Sequence, residues 1–462
     1  MIQFAKRYPG LSIFALALVA RLVWIATLGR TLSFPDEEEF VDVARHIAAG
    51  YGYVSSSYRA NPTLAAYLGV VFSVFGESFE IARVGQCLFG ALTCVLVYRT
   101  ATLLAGPSVG ILSGVLLALY PPHIFLSGVF YVECLAILLG SLSLYLAVRG
   151  ALQPGIGGGI LCGVACGGTV LTRPIFVLYL PCLCLAWLYA AWPQWRRQVV
   201  VCGALVLSSV AVVLPWSVRN YRVFHRVVPV ATGFYTLLWQ GNNELADGGP
   251  DDRFLFWRTP MWTERLQKLP ANEQAEIAAR YAELDRSARD LNARIGDRYL
   301  ATDTVLKPVV LEYMRAHPGR IAKLFLRKLI TLYSAFTDTF MHNDLTSPPK
   351  RLIAAFAFYP LLGLALAGAW FGRQESRGFA VLYMFILSMS VAYALIAACT
   401  RYRLPIDPYL IVFAALALVR AAEALAKKGK SQKAKFKRQK EWLVSSERGR
   451  RSRIEMKSCH SF

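Results

Sequence analysis

The chain is organised as long apolar runs separated by short breaks that contain charged residues, Pro or Gly. A helix needs about 20 apolar residues to cross the hydrocarbon core of a bilayer, and ten runs approach or reach that length. The predicted spans are 11–29, 81–105, 109–120, 124–148, 156–172, 175–192, 199–216, 352–371, 379–399 and 404–424. Two further apolar stretches, 64–75 and 321–340, are typical of interfacial or re-entrant segments. The pattern predicts an all-α polytopic membrane protein with about ten, and at most twelve, transmembrane helices.

Composition supports this class of protein. Of 462 residues, 56% are hydrophobic and 17% are charged, whereas soluble domains have about 45–50% and about 25%. This balance excludes a soluble enzyme and a disordered chain. Nine of the ten Cys lie within apolar stretches and no CxxC pair occurs. We therefore read these Cys as small apolar side chains and not as a zinc or redox motif.

The distribution of basic residues predicts the orientation, because Lys and Arg concentrate in cytoplasmic loops. The tail from Lys427 onward has 13 Lys and Arg against 3 Glu. We expect a bacterial inner-membrane protein with an uncleaved first span, both termini in the cytoplasm and the tail against anionic lipid headgroups. A basic tail could also bind nucleic acid, but its position beside a last span favours membrane lipids, so no nucleic-acid partner is expected.

This orientation divides the chain into four parts. Residues 1–216 form an N-terminal transmembrane module whose first periplasmic loop is 30–80, and 217–351 form a periplasmic helical region. That region ends in the re-entrant or interfacial segment 321–340, and its stretch 272–327 has the apolar periodicity of amphipathic helices. Residues 352–425 supply the C-terminal spans, and 426–462 the basic cytoplasmic tail.

Four consecutive acids, Asp36 to Glu39, follow Pro35 directly after the first span. One interpretation is structural: Asp36 as helix N-cap with Glu39 three residues later matches a capping box. The other is chemical, since a carboxylate held rigidly at the membrane surface can accept a proton from an incoming hydroxyl as a general base. The two interpretations are compatible.

A second acid, Glu133, lies in an otherwise uncharged run from Ile124 to Val148. An ionisable residue within or near a span is costly and usually faces a cavity and a partner. The predicted topology puts Glu133 near the outer end of its span, on the side of Asp36. We therefore favour a functional acid over a structural one.

Several basic residues are predicted on the same side, against the positive-inside tendency. Any one of them could simply extend to lipid headgroups. Together they favour a site for an anionic headgroup, because the planar guanidinium binds phosphate through paired donors. They are Arg59, Arg173, Arg219, Arg401 and Arg403.

Motifs for other chemistries are absent from the sequence. No GxGxxG follows a strand pattern, no complete P-loop or HExxH occurs, and the six His are scattered. No nucleotide cofactor is therefore expected. A sugar carried on a lipid phosphate fits these residues, with Asp36 as base and the leaving phosphate stabilised by Arg or by a divalent cation. The alternative is a multi-span transporter or lipid-linked glycan flippase, although no inverted repeat is visible. A non-catalytic membrane scaffold is a third interpretation.

Ordered motifs resemble the C-type membrane glycosyltransferases, in particular bacterial proteins similar to protein O-mannosyltransferases and the lipid A aminoarabinose transferase. The first-loop acidic motif resembles Pro35-Asp36-Glu37, and Glu133 matches the second-loop acid. Pro215 to Tyr221 and Gly241-Asn242-Asn243 resemble the start of the large outside region. Tyr313 to Leu329 resembles the helix that re-enters the membrane, and Arg401 to Pro405 with Pro408 the last-span motif. These segments are quoted as they stand in the chain.

This resemblance implies an inverting transfer of a hexose or pentose from a polyprenyl-phosphate donor to an envelope glycan, lipid or protein. It implies Asp36 as catalytic base, with Glu37 and Glu133 orienting substrate or, if a metal is used, holding it with Asp36. Divalent-metal use varies among such proteins. Asn61 stands before Pro62 where the aminoarabinose transferases carry Lys. The expected substrate- and phosphate-binding residues are Arg59, Asn61, Arg173, Arg219, Arg401, Tyr402 and Arg403.

Overall fold

The structure is a computed structural model and describes residues 7–29, 31–32, 34–53, 61–192, 195–248, 266–335 and 348–458. Within these ranges every regular element is helical. The first half contains α1 Pro9–Ile25, α2 Pro35–Ala48, α3 Pro62–Phe75, α4 Phe79–Ala105, α5 Pro107–Ala118, α6 Pro121–Phe125, α7 Val132–Leu152, α8 Ile156–Thr172, α9 Tyr179–Ala190 and α10 Trp195–Phe224. The second half contains α11 Phe234–Gln240, α12 Ala271–Ile295, α13 Arg298–Ala316, α14 Pro318–Leu332, α15 Pro348–Glu375, α16 Phe379–Leu395, α17 Thr400–Arg403 and α18 Asp407–Ser458. The predicted all-α membrane fold is confirmed.

The number of spans is smaller by strict length than the sequence pattern suggested. Five helices of the described chain are long and apolar enough to cross a membrane, or six when α5 and the bent segment after it count as one span. Other apolar helices are shorter, such as α1 with 17 residues, which at 1.5 Å per residue is about 25 Å long. The predicted count of about ten is therefore not confirmed.

One predicted span begins later than expected. The apolar run 124–148 predicted a single helix, but α6 ends at Phe125, a short 3₁₀ turn covers Leu126–Gly128, and α7 begins at Val132. Val129 and Tyr131 are extended. Hydropathy alone does not reveal this break, since the residues within it are as apolar as those of a span. Its consequence is that Glu133 lies in the first turn of α7.

The helices of the membrane part pack through small residues. The contact between α8 and α10 is extensive, and added Cβ atoms at Gly159 and Gly163 would lie 2.7 Å from the carbonyl oxygen of Val201 and 2.2 Å from that of Leu205. Side chains at these glycines would push the helices apart. Close backbone approach of this kind stabilises helix pairs in lipid, where burial of apolar area gives little advantage.

The region that the sequence predicts to be periplasmic, which we call the outside region, forms a separate apolar cluster. Trp239 and Leu238 of α11 pack with Tyr281 of α12 and with Leu306 of α13. Asp303 of α13 accepts hydrogen bonds from the backbone N–H groups of Gly233 and Thr236, each at 2.8 Å, and fixes the start of α11. Burial nevertheless raises the pKa of the Asp303 carboxyl above its ordinary value. The predicted amphipathic helices over 272–327 are thus observed as α12, α13 and most of α14.

Helix α2, in the predicted first loop, rests on α3. Val41 and Ala44 are fully buried against Leu64 and Leu68. These apolar contacts fix the inner face of α2, while the acids of its first turn lie at the end of the helix that follows the first span. The packing therefore determines where Asp36 lies relative to the spans.

Candidate functional site

Asp36 is presented by the first turn of α2, in a different way from the predicted capping box. The N-cap is Phe34, which is extended and supplies no side-chain cap, and Pro35 takes the first helical position. Pro is favoured there because its fixed φ suits a helix and it has no N–H to satisfy. The Asp36 carboxylate is therefore not used to cap its own helix. It is 28% exposed and faces another part of the chain.

A chain of ion pairs links Asp36 to the ends of three other elements. Nη1 of Arg401 lies 3.3 Å from Oδ2 of Asp36, and its Nε lies 3.2 Å from Oε1 of Glu133. Arg173, directly after α8, donates a hydrogen bond to the same Glu133 oxygen. Four residues distributed from 36 to 401 thus form one cluster of alternating charge, which we call the Asp36–Arg173 cluster.

Aromatic rings orient the two arginines of the cluster. The Arg401 guanidinium lies 4.6 Å from the ring centre of Tyr131, and Tyr131 stacks on Phe34 at 5.6 Å. The Arg173 guanidinium lies 4.9 Å from the ring centre of Tyr402, which stacks on Tyr393 at 4.8 Å. Cation–π contacts of this kind stabilise a guanidinium that has lost part of its hydration.

The four charged side chains differ in their access to solvent. The Glu133 side chain is 2% exposed and each of the two Arg side chains is 11% exposed, against 28% for Asp36. Glu133 is paired with both guanidinium groups, so it is suited to holding them in place. Asp36 is the carboxylate of the cluster that an entering hydroxyl can reach.

Glu37 has a different environment from Asp36. It is fully buried and interacts electrostatically with Arg83 of α4. Arg83 donates hydrogen bonds to the carbonyl oxygens of Gly29, Thr31 and Gly128. This arrangement attaches the end of the first span and the start of the first loop to α4, and Glu37 contributes charge balance to it.

The other predicted site residues have surroundings of their own or lie outside the described residues. Arg219 donates to the Tyr53 carbonyl oxygen at 2.8 Å and stacks on Trp216. Arg403 is 2% exposed and pairs with Asp407 at 2.9 Å. In the described part of the chain, no hydrogen bond is found for the buried amide oxygen of Asn61. Arg59 lies outside the described residues.

The cluster does not have the donor set of a divalent-cation site. Asp36 and Glu133 each pair with a guanidinium, and over the described ranges no group of three His, Cys, Asp or Glu side chains converges. A hard cation such as Mg²⁺ or Ca²⁺ requires several oxygen ligands. Arg401 and Arg173 instead balance the charges of Asp36 and Glu133.

Three contributors escaped the sequence analysis. Tyr131 lies two residues before Glu133, but its role depends on the break before α7. Arg83 was assigned to an apolar span. Lys328 lies on the buried stripe formed by Leu324, Lys328 and Leu332 of α14. A lysine at helical spacing within an otherwise apolar stripe could have indicated in the sequence that Lys328 is buried.

Parts of the chain are similar in sequence to known proteins. Residues 60–218 match the family described as dolichyl-phosphate-mannose-protein mannosyltransferase. A curated relative from Edwardsiella ictaluri (strain 93-146), named undecaprenyl phosphate-alpha-4-amino-4-deoxy-L-arabinose arabinosyl transferase, is 25% identical over 280 residues. That alignment covers 58% of this chain and 45% of the relative. A protein of the same name from Pseudomonas aeruginosa (strain UCBPP-PA14) is 28% identical, over 40% of this chain and 36% of the relative.

A solved structure shows the fold. The archaeal oligosaccharyltransferase AglB from Archaeoglobus fulgidus, in complex with an inhibitory peptide and a dolichol-phosphate, matches with a TM-score of 0.53 at 14% identity. The match covers 93% of this chain and 52% of AglB. The predicted resemblance to the C-type membrane glycosyltransferases is confirmed. The chain spans less than half the length of the two curated relatives.

Proposed function

We propose that this protein is a membrane glycosyltransferase that moves a sugar from a polyprenyl-phosphate donor to a hydroxyl of an envelope glycan, lipid or protein. The observation that carries the proposal is the Asp36–Arg173 cluster, in which the partly exposed Asp36 pairs with Arg401 and the buried Glu133 joins Arg401 to Arg173. The printed names of the curated relatives, which are undecaprenyl-phosphate sugar transferases, support the donor class.

The proposed reaction is a single displacement. Asp36 accepts the proton of the acceptor hydroxyl, whose oxygen forms a bond to the anomeric carbon of the sugar. The bond from that carbon to the lipid phosphate oxygen breaks, and the phosphate leaves with the electron pair. Attack opposite the leaving group inverts the anomeric centre.

In this scheme the arginines stabilise the charge that develops on the leaving phosphate. Arg401 is paired with Asp36 at 3.3 Å, so its guanidinium adjoins the position of the proposed base. Preorganised charge of this kind acts strongly in a site with little water. Glu133 pairs with Arg401 and Arg173, and the ring of Tyr402 packs against the Arg173 guanidinium. Arg219 and Arg59 are further candidates for contacts with the lipid phosphate, as is Asn61.

The proposed setting follows from the sequence pattern. The site faces the periplasm of a bacterial inner membrane, both termini lie in the cytoplasm, and the basic tail contacts anionic lipids. The parts 1–216, 217–351, 352–425 and 426–462 are proposed as the structural units of the chain. The transferred sugar is a hexose or a pentose, which differ in mass.

The test uses detergent-purified full-length protein and a lipid extract from a strain that lacks it, with product detected by mass spectrometry. Replacing Asp36 by Asn is expected to lower transfer by about 10²–10⁴-fold, the range for loss of a general base. The control is Glu38→Gln, since Glu38 is exposed and pairs only at the surface with Arg45. Both variants should unfold at the wild-type temperature.

Two outcomes contradict the proposal. Unchanged transfer by the Asp36→Asn protein removes Asp36 from the mechanism. Absence of any transfer by the wild-type protein in detergent, combined with lipid-linked sugar movement in sealed vesicles, favours the flippase interpretation, because detergent solution has no two sides between which a flippase can work. The mass added to the product identifies the sugar.

A further inference from the structure

Lys328 places a buried ammonium group at the end of another helix. It lies on α14 and is 0% exposed. Its Nζ donates to Oδ1 of Asn242 at 2.7 Å and to the carbonyl oxygens of Leu395 and Ile396 at 3.2 and 3.1 Å. Those carbonyls end α16, where the last C=O groups of a helix have no partner within it. A cation there also interacts favourably with the helix dipole.

Asn242 strengthens the same attachment. Its Nδ2 donates to the carbonyl oxygens of Leu395 at 2.9 Å and Ile396 at 3.0 Å. The neighbouring Gly241 is packed so closely that an added Cβ would lie 2.0 Å from the Ile396 carbonyl oxygen. Asn242 and Lys328 thus both donate hydrogen bonds to the carbonyl oxygens of Leu395 and Ile396.

The segment held in this way leads directly to the candidate site. Ile396 and Ala397 are buried in the apolar cluster of the outside region, beside Trp239. The N–H of Ala398 donates to the carbonyl oxygen of Gly248 at 3.1 Å. Four residues, 396–399, separate the end of α16 from Thr400, which begins α17, and the next residue is Arg401. The outside region therefore reaches Arg401 through residues 396–399.

A lysine is a costly choice for this attachment. Removing an ammonium from water is unfavourable unless hydrogen bonds replace the lost hydration. The three recorded partners of Nζ are neutral oxygens, and no carboxylate pairs with it in the part of the chain that the structure describes. An apolar residue would fill the stripe on α14 at lower cost but would leave the two carbonyls without this donor.

We propose that Lys328 is a positioning residue that fixes segment 396–399 and thereby presents Arg401 to the lipid phosphate. The inference rests on the proposed function, in which Arg401 contacts that phosphate. It gives the outside region a defined part in donor binding, since α14 and the 241–242 turn set the position of a guanidinium on the membrane part.

The test measures binding of undecaprenyl phosphate to purified full-length protein, together with the KM for the extracted donor and kcat. Lys328→Met is expected to weaken undecaprenyl phosphate binding at least tenfold and to raise KM by a similar factor, with kcat changed less than threefold. Lys323→Met is the matched control, because Lys323 is exposed on the same helix and the side-chain replacement is the same. Its binding and kinetics should equal those of the wild type.

A double variant separates positioning from general destabilisation. If Lys328 acts through Arg401, Lys328→Met should add less than twofold to the loss caused by Arg401→Gln, whereas independent effects multiply. Wild-type binding in Lys328→Met, or full multiplication in the double variant, overturns the inference. Should Lys328→Met fail to fold, Asn242→Asp is the near-isosteric alternative. It removes the Nδ2 donor from both carbonyls and should also weaken binding.

The outcomes distinguish this inference from the proposed function. Absence of undecaprenyl phosphate binding and transfer by the wild type contradicts both. Binding that is weakened by Arg401→Gln but not by Lys328→Met or Asn242→Asp contradicts only the positioning role.

Discussion

Arg401 and Arg403 are separated by one residue but belong to different environments. Arg401 meets Asp36, whose side chain is 28% exposed, and lies over the ring of Tyr131. Arg403 meets Asp407, whose side chain is 0% exposed. It also donates to the carbonyl oxygens of Leu332 and Ser334. One ion pair is open to an entering molecule and the other is closed.

An arginine at the end of a span therefore has two possible uses. The Arg403 pair connects the end of α14 to the start of α18, and Tyr120 donates to the same Asp407 at 3.1 Å. The partners of Arg403 are the buried Asp407 and two backbone carbonyl oxygens, so Arg403 is suited to holding helices together. The partners of Arg401 include a carboxylate that water can reach, so it is suited to chemistry.

The largest expected effect is on stability, from Arg403→Met. Removing one partner of a buried pair leaves the other charge without compensation and costs about 3–5 kcal/mol. We expect a strong fall in the thermal unfolding temperature in detergent, while transfer per folded molecule is retained below that temperature.

The double replacement Arg403→Met with Asp407→Leu tests whether the loss of stability comes from the unpaired Asp407. Replacing both members of a buried pair with apolar residues is often neutral, so the double variant should unfold nearer to the wild type than the single one. An unfolding temperature for Arg403→Met equal to that of the wild type would show that the pair is not structural.

The second effect, from Arg401→Gln, is on donor binding. Hydrogen bonds to charged groups contribute about 1.5–3 kcal/mol, so the KM for the lipid-linked donor should rise by about 10–100-fold. Stability should fall less than in Arg403→Met, because Glu133 keeps its bond to Arg173. Arg377→Gln is the control, since Arg377 precedes the opposite end of α16 and donates to Trp192. A larger loss of stability than in Arg403→Met would reverse the comparison.

The smallest effect concerns the exposed pair of Arg45 and Glu77, which joins α2 to the turn before α4 at 2.8 Å. The hydrogen bond from Arg45 holds the pKa of Glu77 below its ordinary value of 4.5. A lowered carboxyl pKa adds stability above pH 4.5 that is lost as the pH falls through the folded-state value.

Surface pairs contribute less than about 1 kcal/mol. Glu77→Gln should therefore unfold only slightly earlier than the wild type at pH 7, and the difference should disappear as the pH falls through the folded-state pKa of Glu77. Transfer should be unchanged. A large loss of transfer would mean that this ion pair, and not the packing of Val41 and Ala44 on α3, positions Asp36.

Much of the architecture was predictable because burial in lipid leaves a direct trace in sequence. Apolar runs predicted most helices, and the periodicity over 272–327 predicted the outside helices. The break before α7 was not predictable, since its residues are as apolar as a span. The count of spans was not confirmed for a related reason. The length of an apolar run does not determine how much of it is helical or how far it extends across a bilayer.

The candidate site was predictable in its members but not in their connections. Asp36, Glu133, Arg173 and Arg401 were chosen from charge, predicted side and motif, and the structure brings all four together. Arg403 was chosen by the same criteria and faces Asp407 instead. The sequence offered no means of telling these cases apart, because the choice depends on which helix ends meet.

Local hydropathy and periodicity predict that the chain is helical, that it enters a membrane and that ionisable groups lie near the ends of its spans. These properties act over a few helical turns, so they are visible in the sequence. Which acid pairs with which guanidinium follows instead from tertiary packing, because Asp36 and Arg401 are 365 residues apart. Their pairing requires that α2, α7, α17 and the end of α8 meet at one place.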